Sequence, residues 1–206
     1  MLPSLRVFFA GVFLLSHLYA GEVSEKGFWI GEVSQWHITD WNLANALASF
    51  FHQEQAQSIV DFGCGEGDYA HSLLDNGFDV EAYDGNPDTP ALTKGLGKIQ
   101  DLSVPFDLHK QFDWVLSLEV GEHLPPQYED TFIENLLRHA KQGILLSWAV
   151  KNQGGRGHFN EQENDYIKAI FEKHGFINDI EAENVLRGAS SLNWFKNTIM
   201  IFRKQV

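Results

Sequence analysis

The sequence predicts an α/β fold: a doubly wound, mostly parallel seven-stranded sheet with an antiparallel last strand pair. Three observations predict it. From Trp41 onward, short apolar runs alternate with amphipathic stretches, the pattern of a parallel sheet covered by helices on both faces. A glycine-rich turn directly follows the first apolar run. The last two apolar runs follow each other without a clear helix between them, which suits an antiparallel pair.

The elements follow in order. Leu43, Leu47, Phe50 and Phe51 recur at helical spacing and define one apolar face, with Asp40 as N-cap. Ser58-Ile59-Val60-Asp61-Phe62 reads as a short buried strand. Asp68 to Asn76 reads as a helix stopped by Gly77. Asp79 to Tyr83 alternates and ends at Asp84, a second strand. Ile99-Gln100-Asp101 is a short third strand, and Phe112 to Leu118 a strongly apolar fourth. Pro125 and Pro126 open a helix through Ala140, where proline costs no intrahelical hydrogen bond. Gly143 to Val150 is the fifth strand. Asn160 with Glu163 resembles a capping box for the helix bearing Ile167, Ile170 and Phe171. Phe176 to Glu183 and Trp194 to Phe202 complete the seven strands.

The chain has 206 residues, enough for one domain with a full core. Its formal net charge of -13 repels phosphate backbones, so no nucleic-acid partner is expected. Cys64 is the single cysteine and reads as a small apolar filler between two glycines. No metal site is expected: His37, His123 and His158 lack close spacing, and there is no CxxC. Residues 1–20 stand apart from the domain at 21–206. Arg6 precedes an apolar run, Val7 to Leu15, which reads as a secretory signal peptide or an N-terminal apolar helix. The protein is therefore secretory or membrane-associated if this segment is a signal, and cytoplasmic otherwise. Membrane contact is expected only through it.

The central motif is Val60-Asp61-Phe62-Gly63-Cys64-Gly65-Glu66-Gly67, between a strand and a helix. Glycines there permit a tight turn and close approach of a ligand. An acid precedes the glycines. Asp84 ends the next strand 17 residues after Gly67, near the spacing at which an acid reaches a ribose diol. Asp101 ends the third strand, placed to accept from an adenine amino group. A nicotinamide-dependent oxidoreductase, the rival, wants G-x-G-x-x-G and no acid before a pyrophosphate. This order of motifs resembles the class I (Rossmann-like) S-adenosylmethionine-dependent methyltransferases, of the small type often labelled type 11, over roughly Trp41 to Lys204. The resemblance implies S-adenosylmethionine as cofactor. Asp61, Gly63, Gly65 and Gly67 would surround its methionine part, Asp84 would hold the ribose, and Asp101 with Leu102 would meet the adenine.

Two loops at the carboxyl ends of the strands are candidates for the acceptor. The first, Ser117 to Pro125, holds Glu119 and His123. In similar methyltransferases this segment lines the pocket near the transferring methyl. His123 is a candidate general base, because imidazole titrates near neutrality. The second, Trp148 to Asn160, holds Gln153, Arg156, His158 and Asn160. Arg156 suits an anionic substrate, and His158 is a second candidate base. Trp36 and His37 precede the first helix and would form a lid over the substrate. The expected activity is transfer of a methyl group to an oxygen or nitrogen of a small-molecule or peptide acceptor. A cofactor-binding assembly or sensor protein without turnover is the alternative from another class.

Overall fold

The computed structural model describes residues 21–31 and 37–205. The expected signal segment and Trp36 lie outside the described residues. A two-residue pair, β1 (Glu22–Val23) and β2 (Trp29–Ile30), forms a small antiparallel hairpin. The domain then runs α1 (Trp41–Gln53), β3 (Ser58–Phe62), α2 (Asp68–Asp75), β4 (Asp79–Asp84), α3 (Thr89–Leu92) and β5 (Gly97–Ile99). It continues with β6 (Phe112–Ser117), α4 (Glu129–His139), β7 (Ala140–Ser147), α5 (Asn164–Lys173), β8 (Phe176–Asn178), α6 (Ile180–Ala189), α7 (Phe195–Thr198) and β9 (Ile199–Lys204).

Seven strands form one sheet in the order β5-β4-β3-β6-β7-β9-β8. The five strands from β5 to β7 pair in parallel, and β9 is antiparallel to both β7 and β8. The expected fold class holds. The chain leaves β3 toward one edge and returns at β6 toward the other, so the strand order reverses between them. Ligands of open α/β sheets bind at this switch point, outside the carboxyl ends of the strands.

One core packs α1, α2 and α6 against the sheet through Leu43, Leu47, Phe51, Ile59 and Leu186. The other packs α4 and α5 on the opposite face through Val60, Val115, Leu136, Ile144 and Phe171. Each such fully buried side chain stabilises by about 1.5–3 kcal/mol relative to exposure. Among the described residues no helix is long and apolar enough to cross a membrane.

Five expectations need correction. The third strand is Gly97–Ile99, so Gln100 and Asp101 lie in the loop after it. The segment from Phe176 to Glu183 is a strand only to Asn178. Asp179 then caps α6 by accepting from Ala182 N at 3.0 Å, so a helix does separate the last two strands. The final strand begins at Ile199, after the single turn of α7. The fifth strand starts at Ala140, directly from α4, and ends at Ser147. The Asn160–Glu163 capping box is absent: α5 begins at Asn164 with Glu163 at its cap position, and the Asn160 side chain donates to Glu129 instead.

Asp40 caps α1 as expected, accepting from Asn42 N and Leu43 N at 3.1 Å each. It also ties the helix to the far end of the chain. Its Oδ2 accepts from Ser190 Oγ at 2.6 Å, Ser191 N at 2.7 Å and Leu192 N at 3.0 Å, and Oδ1 from Ser191 Oγ at 2.9 Å. These donors favour the charged form over the opposing effect of burial and hold the carboxyl at about 2. Asp40→Ala is expected to lower the unfolding free energy by about 2–4 kcal/mol in urea titrations, from the lost cap and orphaned donors. A depressed folded-state value contributes stability above the unfolded value, lost as pH falls. The gap between wild type and variant therefore narrows from pH 4 toward pH 2.

Candidate active site

The glycine loop is closed against the end of β4. Gly63 N and Cys64 N donate to Tyr83 O at 2.7 and 3.1 Å, and Gly65 N donates to Asp84 Oδ2 at 2.9 Å. Gly65 has φ +54, and a β-carbon there would stand 2.7 Å from the His37 ring. Glycine is needed both for the turn and for that approach. Asp84 also accepts from Asn86 N at 2.9 Å, which orients its carboxylate across the strand ends.

Asp61 is 3% exposed, at the last turn of β3 before the loop. Burial, then the Asp84 charge beside it, pushes its carboxyl up to about 7. A cation placed here would offset both effects. The α-amino group of an amino-acid ligand fits, with a ribose diol within reach of Asp84. Leu102 is buried and borders the same cavity. Asp101 borders it too, but both its oxygens are engaged: Oδ1 by Ser103 N and Oγ at 2.9 and 2.5 Å, Oδ2 by Lys26 Nζ at 2.6 Å. In this structure Asp101 fastens the β1–β2 hairpin over the cavity.

The cavity measures about 450 Å³, within the usual range of roughly 300–1,000 Å³ for small-molecule sites. Its second end is lined by Trp29, His37, His123, Arg156, His158 and Phe195. Trp29, on the hairpin, meets His37 and His123 edge-on at 6.2 and 5.9 Å, and the Arg156 guanidinium lies 5.5 Å from its ring. His123 and His158 stand edge to face at 4.9 Å. Burial, reinforced by His158, pushes His123 down to about 4. It is therefore neutral near pH 7 and a weaker proton acceptor than the sequence reading assumed.

Glu119 adopts φ +53, and Ser147 Oγ accepts its N–H at 2.8 Å. Its carboxylate accepts from Gln153 Nε2 at 2.9 Å and Thr198 Oγ1 at 3.0 Å, so it joins both loops to α7. The structure thus brings Asp61, Gly63, Gly65, Asp84, Asp101, Leu102, Glu119, His37, His123, Gln153, Arg156 and His158 to one cavity. Two expectations fall outside it. Gly67 sits behind the loop as the N-cap of α2. Asn160 is buried away from the cavity: its carbonyl accepts from Trp148 Nε1 at 2.6 Å, and its amide donates to Glu129 Oε2 at 2.7 Å. There it acts as a structural tie between the second loop, Trp148 and α4.

Two residues of this region escaped the sequence reading. Glu161 accepts from Asn152 N at 2.8 Å, Gly154 N at 2.7 Å and His158 Nδ1 at 3.0 Å, and so shapes the second loop. Glu122 is fully buried beside His123, and neither of its carboxyl oxygens makes a well-formed hydrogen bond, although the Glu119 carboxyl and the Ala149 backbone are close by. Burial first, and the Glu119 charge second, raise its carboxyl well above the usual range. Its place three residues after Glu119 was the only available signal.

The parallel sheet with its reversed edge, the acid–glycine loop and the second acid at the next strand end define a Rossmann-like nucleoside-binding enzyme. Residues 36–147 match the family described as Methyltransferase domain, and the chain belongs to it. It is a class I methyltransferase, with S-adenosylmethionine as methyl donor. Comparison with curated protein sequences finds no match. Among solved structures, the chain is similar to magnesium protoporphyrin IX methyltransferase (ChlM) from Synechocystis PCC 6803 with bound SAH. The TM-score is 0.61 and the identity 19%, over 79% of this chain and 82% of that one. It is also similar to SAM-bound CalS10, an amino pentose methyltransferase from Micromonospora echinaspora (TM-score 0.62, identity 15%, covering 81% and 92%). A third is the sugar N-methyltransferase KedS8 from Streptoalloteichus sp ATCC 53650 (TM-score 0.63, identity 12%, covering 80% and 87%). At these identities the likeness is one of fold.

Asp61 must be ionised to pair with the ligand's ammonium, and in the free protein it titrates at about 7. The affinity for S-adenosylhomocysteine is therefore expected to rise by about tenfold per pH unit below 7 and to level off above it. Calorimetry between pH 5.5 and 8 reads this slope. Asp61→Asn should flatten it and weaken binding at pH 8.

Proposed function

We propose that the chain transfers the methyl group of S-adenosylmethionine to an oxygen or nitrogen of a small-molecule acceptor. The acceptor sits between Trp29, His37, His123, His158 and Arg156. The observation that carries this reading is the group of neighbouring rings, Trp29, His37, His123 and His158, with the Arg156 guanidinium beside them, along one part of the cavity wall. With the cofactor in the first end, the remaining space admits a small molecule or the end of a larger one. The similar enzymes named above act on a porphyrin, an amino pentose and a sugar, which agrees with this class.

When bound, S-adenosylmethionine supplies an electrophilic methyl on a positively charged sulfur. The acceptor lone pair forms the new bond to that carbon as the carbon–sulfur bond breaks, and the sulfide leaves neutral. The chain's part is chiefly positioning. Asp61 and Asp84 hold the donor from the strand ends. The hairpin, fastened by Lys26 to Asp101, covers the reacting atoms. The Nδ1 atoms of His123 and His158 are engaged by Gly157 O and Glu161, each at 3.0 Å. Each neutral ring thus carries its lone pair on Nε2. Proton loss is demanded only of a hydroxyl acceptor.

The test uses S-adenosylmethionine labelled in the methyl group, incubated with the purified protein and a metabolite extract. Label in the small-molecule fraction, lost with Asp84→Ala, is the expected result. Label confined to protein or nucleic acid would overturn the acceptor class. Cofactor binding without any turnover would leave a binding protein. Once an acceptor is in hand, Arg156→Ala is expected to raise its KM about tenfold or more, the loss of one charge-assisted contact. Affinity for S-adenosylhomocysteine should stay unchanged in that variant.

A further inference from the structure

We propose that Glu122, His123 and His158 form a binding site for one divalent transition-metal ion at the acceptor end of the cavity. One donor atom from each of the three lies within 4.8 Å of the other two. Donors that share one zinc at roughly 2.0–2.2 Å lie closer together than this, so the cluster would have to contract around the ion.

Three independent features prepare this cluster. The first is Glu122 itself, fully buried, with no well-formed hydrogen bond to either oxygen and only the Glu119 carboxyl and the Glu122 and Ala149 backbone groups beside it. Buried polar groups are almost always hydrogen-bonded, and a buried carboxylate without a partner is among the costliest exceptions. A cation removes that exception.

The second is the orientation of the imidazoles. His123 Nδ1 lies 3.0 Å from Gly157 O, and His158 Nδ1 lies 3.0 Å from Glu161 Oε1. Both partners only accept, so each Nδ1 carries the proton and each Nε2 carries the lone pair. Fixing the tautomer through a carbonyl or carboxylate on the far nitrogen is the usual support of a metal-bound histidine. Glu161 is in turn held by Asn152 N and Gly154 N.

The third is Gly155. A β-carbon there would collide with His158 Nε2, so the ring can hold its place against the second loop only because this position is glycine.

The donor set selects the ion. Two imidazoles and one carboxylate suit zinc, manganese, cobalt or iron, whereas magnesium and calcium prefer oxygen alone. Three protein ligands leave a position open, as in catalytic sites. His123 and His158 line the cavity, so the open position faces the acceptor. Resting on the methyl-transfer reading, this narrows the acceptor to one that presents a hydroxyl. The ion would hold that oxygen and lower its pKa, and the imidazoles, their Nε2 lone pairs given to the ion, would no longer serve as bases.

The test is titration of chelator-stripped protein with cobalt(II), followed by visible absorption, and with zinc and manganese by calorimetry. One equivalent is expected to bind. Glu122→Gln and His158→Ala should each weaken it at least about 100-fold, and Glu161→Gln, which removes only the support, by about 10–100-fold. S-adenosylhomocysteine affinity, measured on the same samples, should be retained and shows that each variant is folded. Absence of stoichiometric binding in wild type, or equal binding in wild type and variants that keep S-adenosylhomocysteine, would overturn the metal site. A buried Glu119–Glu122 acid pair would then remain. Failure of the methyltransferase reading shows itself separately, as loss of S-adenosylhomocysteine binding in wild type.

Discussion

Two carboxylates forced together at the ends of adjacent parallel strands set the terms for the rest of this molecule. Parallel pairing places Asp61 opposite Ala82 in β4, two residues before Asp84. The glycine loop then folds back so that Gly65 N reaches Asp84. Asp84 thus gains two backbone donors, from Gly65 and Asn86, while Asp61 stays buried and is raised by its neighbour. The asymmetry divides the labour. A donor-rich carboxylate is oriented for neutral hydroxyls, and a desolvated one demands a cation. Gly63 and Gly65 could not take a side chain without losing this geometry, because both have positive φ and a β-carbon would run into Val120 or His37.

This half of the site was legible in the sequence because each of its parts is local. A strand that runs into alternating glycines, an acid before them and an acid at the next strand end are visible in one stretch of chain. The sheet was legible for the same reason, since β3, β4, β6 and β7 are strongly apolar runs. α6 was missed where local signals competed: Ile177, Ile180 and Val185 are apolar but exposed, and they mimic a strand. Asp179, the cap that decides the matter, also pairs with Arg203 on β9, a contact with no sequence signal. The Asn160 and Glu163 spacing misled in the opposite way. The motif was present, but Glu129, 31 residues earlier, took the Asn160 side chain.

The acceptor half is non-local, and there the sequence named residues without their roles. His123 and His158 were both singled out, but their partners Gly157 and Glu161 follow only from the folded loop. Glu119 was expected near the chemistry. It serves as a tie between Gln153 and Thr198 and as the negative neighbour of Glu122. The β1–β2 hairpin supplies Trp29 and Lys26, and its position over the cavity depends on Asp101, two residues beyond the end of β5. Cofactor end and acceptor lid are thereby linked through one ion pair.

The two ends of the cavity repeat one physical device. At each, a carboxylate is buried without the donors that would stabilise it: Asp61 beside Asp84, and Glu122 beside Glu119. A free protein bears that unfavourable burial as a reduction of its own stability, and a ligand of positive charge relieves it. Relief on binding strengthens affinity without additional contacts, because the charge was desolvated and positioned during folding. At the first end the relieving charge is the ammonium of the donor. At the second, with the two imidazoles turned Nε2-outward, it is a metal ion. In each case burial without matching donors raises the cost of the charged form, and a cation placed beside the carboxylate would offset that cost.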